Sequence, residues 1–200
     1  MEGTNPVNKK LTAALSGGAV LVLALSGCAG SSGANDDKLA SWARQICDGV
    51  QPQAKKISDA STAIQKETSD NSPPEQVQKT DAQAFQDMSD AYKAIATAVD
   101  RAGAPDVDKG ATKQKNAVKE LNDLSAAYAD LKKQVDKLDT KDQAKFADGL
   151  KGIATQLDKL SKTGNDALKQ LEEGDVGKAM AKQESCKSAP ASASTSKEAG

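Results

Sequence analysis

Apolar side chains recur along this chain at steps of three and four residues, the spacing that gathers them on one face of an α-helix. Leu39, Trp42, Ile46 and Val50 open the first stripe, and Ala54, Ile57 and Ile64 continue it beyond Pro52. A proline there lacks a backbone donor and crowds the preceding turn, which predicts a break or kink. This helix is expected to begin near Asn35 or Asp36, with the polar run Thr68 to Ser72 forming a loop after it. Val77, Phe85, Met88, Tyr92, Ile95 and Val99 mark a second stripe. Its start reads from Ser72-Pro73-Pro74-Glu75, a capping serine, a proline at the first helical position and a glutamate three after the cap. Gly103 and Pro105 should stop it.

The most regular pattern lies further on. Ala117, Leu121, Leu124, Tyr128, Leu131, Val135 and Leu138 alternate steps of four and three, and Phe146, Leu150, Ile153, Leu157, Leu160, Ala167 and Leu171 nearly do the same. Thr140-Lys141-Asp142-Gln143 between them fits a capping box. Two such heptad helices, each about 45 Å long, are expected to pack antiparallel at about 20°. Gly174 should end the fourth helix, and Asp175 should cap a short fifth one carrying Val176, Met180 and Cys186. From Ser188 the chain loses all periodicity, and residues 188–200 are expected to be disordered. The prediction is an all-α fold, an elongated antiparallel bundle of about four long helices plus a short C-terminal helix, spanning residues 36–187.

The N-terminus follows a different rule. Lys9 and Lys10 precede an uncharged apolar stretch from Leu11 to Leu25, too short and too rich in Gly and Ser for a comfortable membrane span. Leu25-Ser26-Gly27-Cys28 then resembles the bacterial lipobox, an aliphatic residue and two small ones before a lipidated cysteine. That resemblance implies that residues 1–27 are an export signal and that the Cys28 thiol takes a thioether-linked lipid. Several acyl chains would then hold the protein on the outer face of the cell membrane, where one chain would not. Residues 28–35 read as a flexible tether. With Cys28 acylated, two thiols remain, Cys47 and Cys186, and export puts them where disulfides persist. A bridge between them would staple the first helix to the last.

Composition narrows the chemistry. Ala, Lys and Gln are abundant and keep most of their rotamer freedom in a helix. The chain has no histidine, which excludes Ser-His and Cys-His pairs and imidazole metal sites. No glycine-rich phosphate loop follows a strand. Asp87, Asp90, Asp123 and Asp130 fall off the apolar stripes and read as surface charges. Asp100, Asp106 and Asp108 cluster near a turn, but their spacing is not that of an EF-hand, and no metal or cofactor is expected. Trp42, Phe85, Tyr92, Tyr128 and Phe146 all lie on core stripes, while Gly149, Gly152 and Gly164 either permit close helix contact or leave room. The chain carries 27 basic and 28 acidic residues; removing Glu2, Lys9 and Lys10 with the signal leaves 25 and 27, a net of −2. The signs are interspersed, as in Lys132-Lys133 beside Asp130 and Asp136, which argues against nucleic-acid binding.

Ser41-Trp42-Ala43, Cys47, Phe85-Gln86-Asp87-Met88 and the late Cys186 together resemble the small secreted lipoproteins of actinomycetes such as streptomycetes. The resemblance covers most of the chain and implies a helical cell-surface lipoprotein without implying an activity. Met1 to Asn8 departs from it, being long and carrying Glu2, so the true start is expected downstream of Met1. The expected work is non-enzymatic interaction with an envelope protein or a cell-wall polymer. The rival expectation is a carrier that holds a hydrophobic molecule in a cavity lined by Trp42, Tyr92 and Tyr128.

Overall fold

The computed structural model describes residues 32–69, 72–163 and 166–187. Among them are seven helices and no strand: α1 (Ser32–Ser69), α2 (Pro74–Ala102), α3 (Gly110–Val135), α4 (Gln143–Thr163), α5 (Asp166–Glu172), α6 (Asp175–Ala181) and α7 (Glu184–Lys187). The fold is an all-α bundle.

Its centre is α2, flanked by α1 and α3. Hydrogen bonds between side chain and backbone fix the register of α2 against α3. Gln78 Nε2 donates to the Val135 carbonyl at 2.9 Å, Ser89 Oγ to the Ser125 carbonyl at 2.8 Å, and Gln114 Nε2 to the Val99 carbonyl at 3.4 Å. As numbers rise on one helix they fall on the other, so the pair is antiparallel. The α1–α2 pair is antiparallel too. Trp42 Nε1 donates to the Gly103 carbonyl at 2.9 Å at one end, and Gln76 Nε2 meets the Glu67 carboxylate at 3.1 and 3.2 Å at the other.

Two apolar clusters fill the space between. The first joins Leu39, Trp42 and Ile46 of α1 to Ile95, Val99 and Leu121, and takes in Leu171 of α5 and Val176 of α6. The second joins Ala60 to Phe85, Met88, Leu131 and Val135, with Ile153 of α4. The C-terminal helices return along the bundle, α5 against α3 and α6 and α7 against α1. There Cys47 and Cys186 are bonded, with Cα atoms 4.9 Å apart, and Ser185 Oγ donates to Asp48 Oδ1 at 2.7 Å.

Several expectations need correction. Helix α1 runs unbroken through Pro52. Proline deprives the Asp48 carbonyl of its helical partner, but the Cys47 bridge before it and Ile57 and Ala60 in the core after it hold both halves in place. The helix starts at Ser32, inside the stretch read as tether, and continues to Ser69 inside the stretch read as loop. Pro73, not Ser72, caps α2, its carbonyl accepting from the amides of Gln76 and Val77. At α4 the cap is Asp142, not Thr140; its Oδ1 accepts from the Lys145 amide at 3.1 Å. Gly174 caps α6, and Asp175 instead pairs with Lys178 at 2.9 Å.

The largest departure concerns the heptad pair. Helix α3 spends its stripe on α2, and α4 lies outside that pair with Phe146 and Ile153 buried and Leu150, Leu157 and Leu160 half-buried. The expected fourth helix is also two, since α4 ends at Thr163 and Leu171 belongs to α5. The C-terminal segment likewise divides into α6 and α7.

Glycines report on how tightly the elements meet. A Cβ at Gly149 would stand 2.4 Å from Leu138 Cδ2, so this glycine permits close contact, whereas Gly152 faces open space and Gly164 lies outside the described residues. At Gly110 a Cβ would strike the Pro105 carbonyl oxygen at 2.1 Å, which is backbone and cannot swing aside. Gly110→Ala should therefore cost about 1–3 kcal/mol, and Gly152→Ala should stabilise by about 0.5–1 kcal/mol. Urea unfolding monitored by circular dichroism checks both signs; equal effects would contradict this packing.

The bridge closes a loop of 139 residues in sequence separation. In the chain-entropy account such a loop contributes up to about 5 kcal/mol. The Cys47→Ala/Cys186→Ala pair should lose several kcal/mol in the same assay, and a loss below about 1 kcal/mol would show that the staple hardly constrains the unfolded chain.

Candidate binding groove

Where α1 and α2 run side by side beyond Ile57, their facing side chains become small. Ala60, Ala63 and Ala84 are too short to fill the furrow between the helices, and a groove of about 560 Å³ opens at the surface. Lys56 and Asp59 of α1 and Gln76, Lys79, Thr80, Gln83 and Asp87 of α2 form its rims.

The charges along these rims are unequally satisfied. Asp59 is paired with Lys55 at 2.7 Å, and Asp87 accepts from Gln83 Nε2 at 2.8 Å. Among the described residues neither Lys56 nor Lys79 has a hydrogen-bonding or ionic partner. Beside Gln76, hydrogen bonds from Ser72 and Gln76 hold the half-buried Glu67 carboxyl below the usual carboxylate range.

Sequence reasoning missed one buried charge. Asp81 is only 6% exposed, and its Oδ1 has no hydrogen-bond partner. Burial, assisted by the nearby Glu67 carboxylate, pushes its pKa up to about 6. Ser89 and Ser125 are equally buried but satisfy each other. The signal was available, since Asp81 falls between Gln78 and Phe85 on the face that α3 covers.

The aromatic residues are mostly core. Trp42, Phe85 and Phe146 are buried, and Tyr92 and Tyr128 are half-buried. The two tyrosines stack with centroids 5.4 Å apart, and Tyr128 also meets Phe85 at 6.2 Å. Burial raises both phenols above their ordinary pKa. Trp42 belongs to the first cluster and Tyr128 to the second, and none of these rings lines the groove.

The acidic residues read as surface charges lie near the surface: Asp90, Asp123 and Asp130 are exposed and Asp87 is half-buried. Asp123 pairs with Lys119 and Asp130 with Lys133. Among the described residues no three Cys, Asp or Glu side chains converge as a metal would require, and Asp100, Asp106 and Asp108 form no such group. No described helix is long and apolar enough to cross a membrane. The signal at residues 1–27 with its Leu25-Ser26-Gly27 motif, the lipidation residue Cys28, and the tail 188–200 all lie outside the described residues. Compared with known proteins, the chain matches no family model, no curated protein and no solved structure.

Asp81 generates a pH dependence of definite sign. Its folded pKa is raised, so the native state holds the proton more tightly than the unfolded chain, and stability is lost as pH rises from about 4 through about 6. A shift of about two units corresponds to about 2–3 kcal/mol. Asp81→Asn should therefore be more stable than the parent at pH 7, with the advantage shrinking as pH falls to 4. Urea midpoints at both pH values decide; an advantage independent of pH would mean that Asp81 is not a buried ionised group.

Proposed function

We propose that this chain is a lipid-anchored extracytoplasmic helical protein that works as a non-enzymatic interaction module at the outer face of the bacterial cell membrane. The observation that carries the reading is the Cys47–Cys186 bridge, which ties α1 to α7 and is the kind of staple that persists outside the reducing cytosol. It agrees with the order of features in the sequence, in which two lysines, an apolar stretch and Leu25-Ser26-Gly27-Cys28 precede the first helix. The likeness to actinomycete secreted lipoproteins belongs to the same reading. A catalytic role draws little support: the chain has no histidine, and Asp81 sits alone in an apolar setting with Glu67 as the charge acting on it. The carrier reading is weaker than the interaction reading because Trp42 and Tyr92 pack in the first apolar cluster and Tyr128 against the second. An envelope protein or a cell-wall polymer remains the partner class.

The anchor is tested by expressing the full chain and its Cys28→Ala variant in a bacterium and fractionating the cells. The parent should sediment with membranes and show the mass of a chain that begins at acylated Cys28. The variant should lose both properties. Membrane binding and processing unaffected by Cys28→Ala would end the lipoprotein reading.

A further inference from the structure

We propose that the α1–α2 groove is a self-complementary face on which a second copy of this chain docks across a two-fold axis, with Lys56 and Lys79 of each copy meeting Glu67 and Asp87 of the other.

The charges along the two helices are arranged about one centre. On α2, Lys79 and Asp87 are eight residues apart with Gln83 midway; on α1, Lys56 and Glu67 are eleven apart, and their midpoint falls between Ser61 and Thr62. Lys56, Ala60 and Ala63 line the groove, and Glu67 continues their stripe to Gln76 on the facing helix. The Gln76–Glu67 hydrogen bonds set the register of the pair. Counted from there, the α2 midpoint lies seven residues along and the α1 midpoint five and a half, which at 1.5 Å per residue puts them about 2 Å apart along the groove. Drift between the helices closes that gap, since the Gly49–Ala98 contact lies eighteen residues along α1 but twenty-two along α2. Each helix thus carries a lysine on one side of a shared centre and a carboxylate equally far on the other.

A two-fold axis through this centre, in the plane of the groove and across its length, turns the face onto itself. It lays α1 antiparallel on α1 of the second copy and α2 antiparallel on α2. Residues equally far from the axis then meet. Lys79 comes level with Asp87 of the second copy and Lys56 with Glu67, each pair formed twice. Ala60 and Ala63 also flank the α1 midpoint evenly, so methyl groups meet methyl groups and allow close approach. Gln83 sits on the axis and meets its own counterpart, and an amide both donates and accepts.

One copy leaves these groups available. Lys56 and Lys79 have no partner among the described residues, Asp87 accepts from the uncharged Gln83, and Glu67 accepts from the uncharged Gln76 and Ser72. A rim that mixes both signs attracts no polyion, but it suits a surface that presents the same pattern reversed. The net charge of −1 leaves little general repulsion between copies. From Lys56 to Glu67 the face is about 17 Å long and two helices, about 20 Å, wide, less than the ~800 Å² that each partner gives to a standard interface, so the dimer is weak and reversible.

Sedimentation equilibrium of the purified full-length protein at low salt should show the weight-average mass rising from monomer towards dimer between about 10 μM and 1 mM. Lys79→Asp sets like charges opposite each other twice and should weaken the dimer about tenfold. Lys79→Asp/Asp87→Lys reverses both members of the pair and should bring the affinity back to within about threefold of the parent. Lys119→Asp makes the same charge change outside the groove and should leave it within about twofold. The variants should keep the circular dichroism spectrum of the parent. A monomer throughout the range, equal losses from Lys79→Asp and Lys119→Asp, or a double variant no tighter than the single one would each overturn the proposal. The lipid-anchor reading is untouched by these outcomes, since the Cys28→Ala fractionation decides it separately.

Discussion

Close approach of α1 to α2 is the constraint on which this bundle depends. A Cβ added at Gly49 would lie 2.9 Å from the Ala98 Cβ, and Ala43, Ala91 and Ala117 have no exposed surface at all. Helices lined with methyl groups can come this near, and they must, because small side chains leave voids at any greater distance. The cost is a thin harvest of burial, at about 0.8 kcal/mol for each CH₂ removed from water. Such smooth surfaces also specify their register weakly. Polar groups supply what the methyls lack. Gln78, Ser89, Gln114 and Trp42 each reach a backbone carbonyl on a neighbouring helix or its end; a slip of one residue between α2 and α3 would break the first three, and one between α1 and α2 the fourth. Their net energies are about 1 kcal/mol apiece, so their contribution is chiefly to the choice of one alignment among several.

The same shortage of buried area explains the C-terminal segment. Helices α5, α6 and α7 have seven, seven and four residues, far below the length at which an isolated helix persists in water. They are ordered by what they touch. Leu171 and Val176 enter the first cluster, and the bridge from Cys186 to Cys47 fixes the end. Gly177 allows the tight turn from α5, since a Cβ there would meet the Glu172 carbonyl oxygen at 2.0 Å.

How much of this could be read from the residues divides along a physical line. Local rules worked where the decisive partner is nearby in sequence: the apolar stripes located α1 to α4, and Gly103 ended α2 at a positive φ of 72°. They failed where a distant partner decides. Pro52 should interrupt α1 locally, yet contacts to α2 and α7 override it. A heptad stripe shows that a helix has a partner without saying which, so α3 could be assigned to α4 although its leucines meet α2. Capping boxes failed by a residue or two: the Pro73 carbonyl takes the amides of Gln76 and Val77, and Asp142 takes the Lys145 amide, each further along than a cap at Ser72 or Thr140 would reach. The cysteines were legible for the opposite reason, because counting left them one partner each. The groove was not legible, since it is made by side chains that are absent; Ala60, Ala63 and Ala84 look like ordinary members of a stripe until two helices are set side by side.

These features are not spread evenly along the bundle, and their distribution carries a consequence. The end holding Trp42, the Cys47–Cys186 bridge and the C-terminal helices has covalent closure and the larger apolar cluster. The opposite end holds the buried Asp81 with its unpartnered Oδ1, the peripheral α4 and the groove. Local opening follows the weakest packing, so amide exchange should be fastest where α1 ends and α2 begins and slowest around Cys47 and Ala117. A buried carboxylate that ionises near pH 6 lowers the cost of opening that end further at neutral pH. The groove thus lies on the half of the molecule best able to adjust its helix spacing, while the stapled half keeps the scaffold in register.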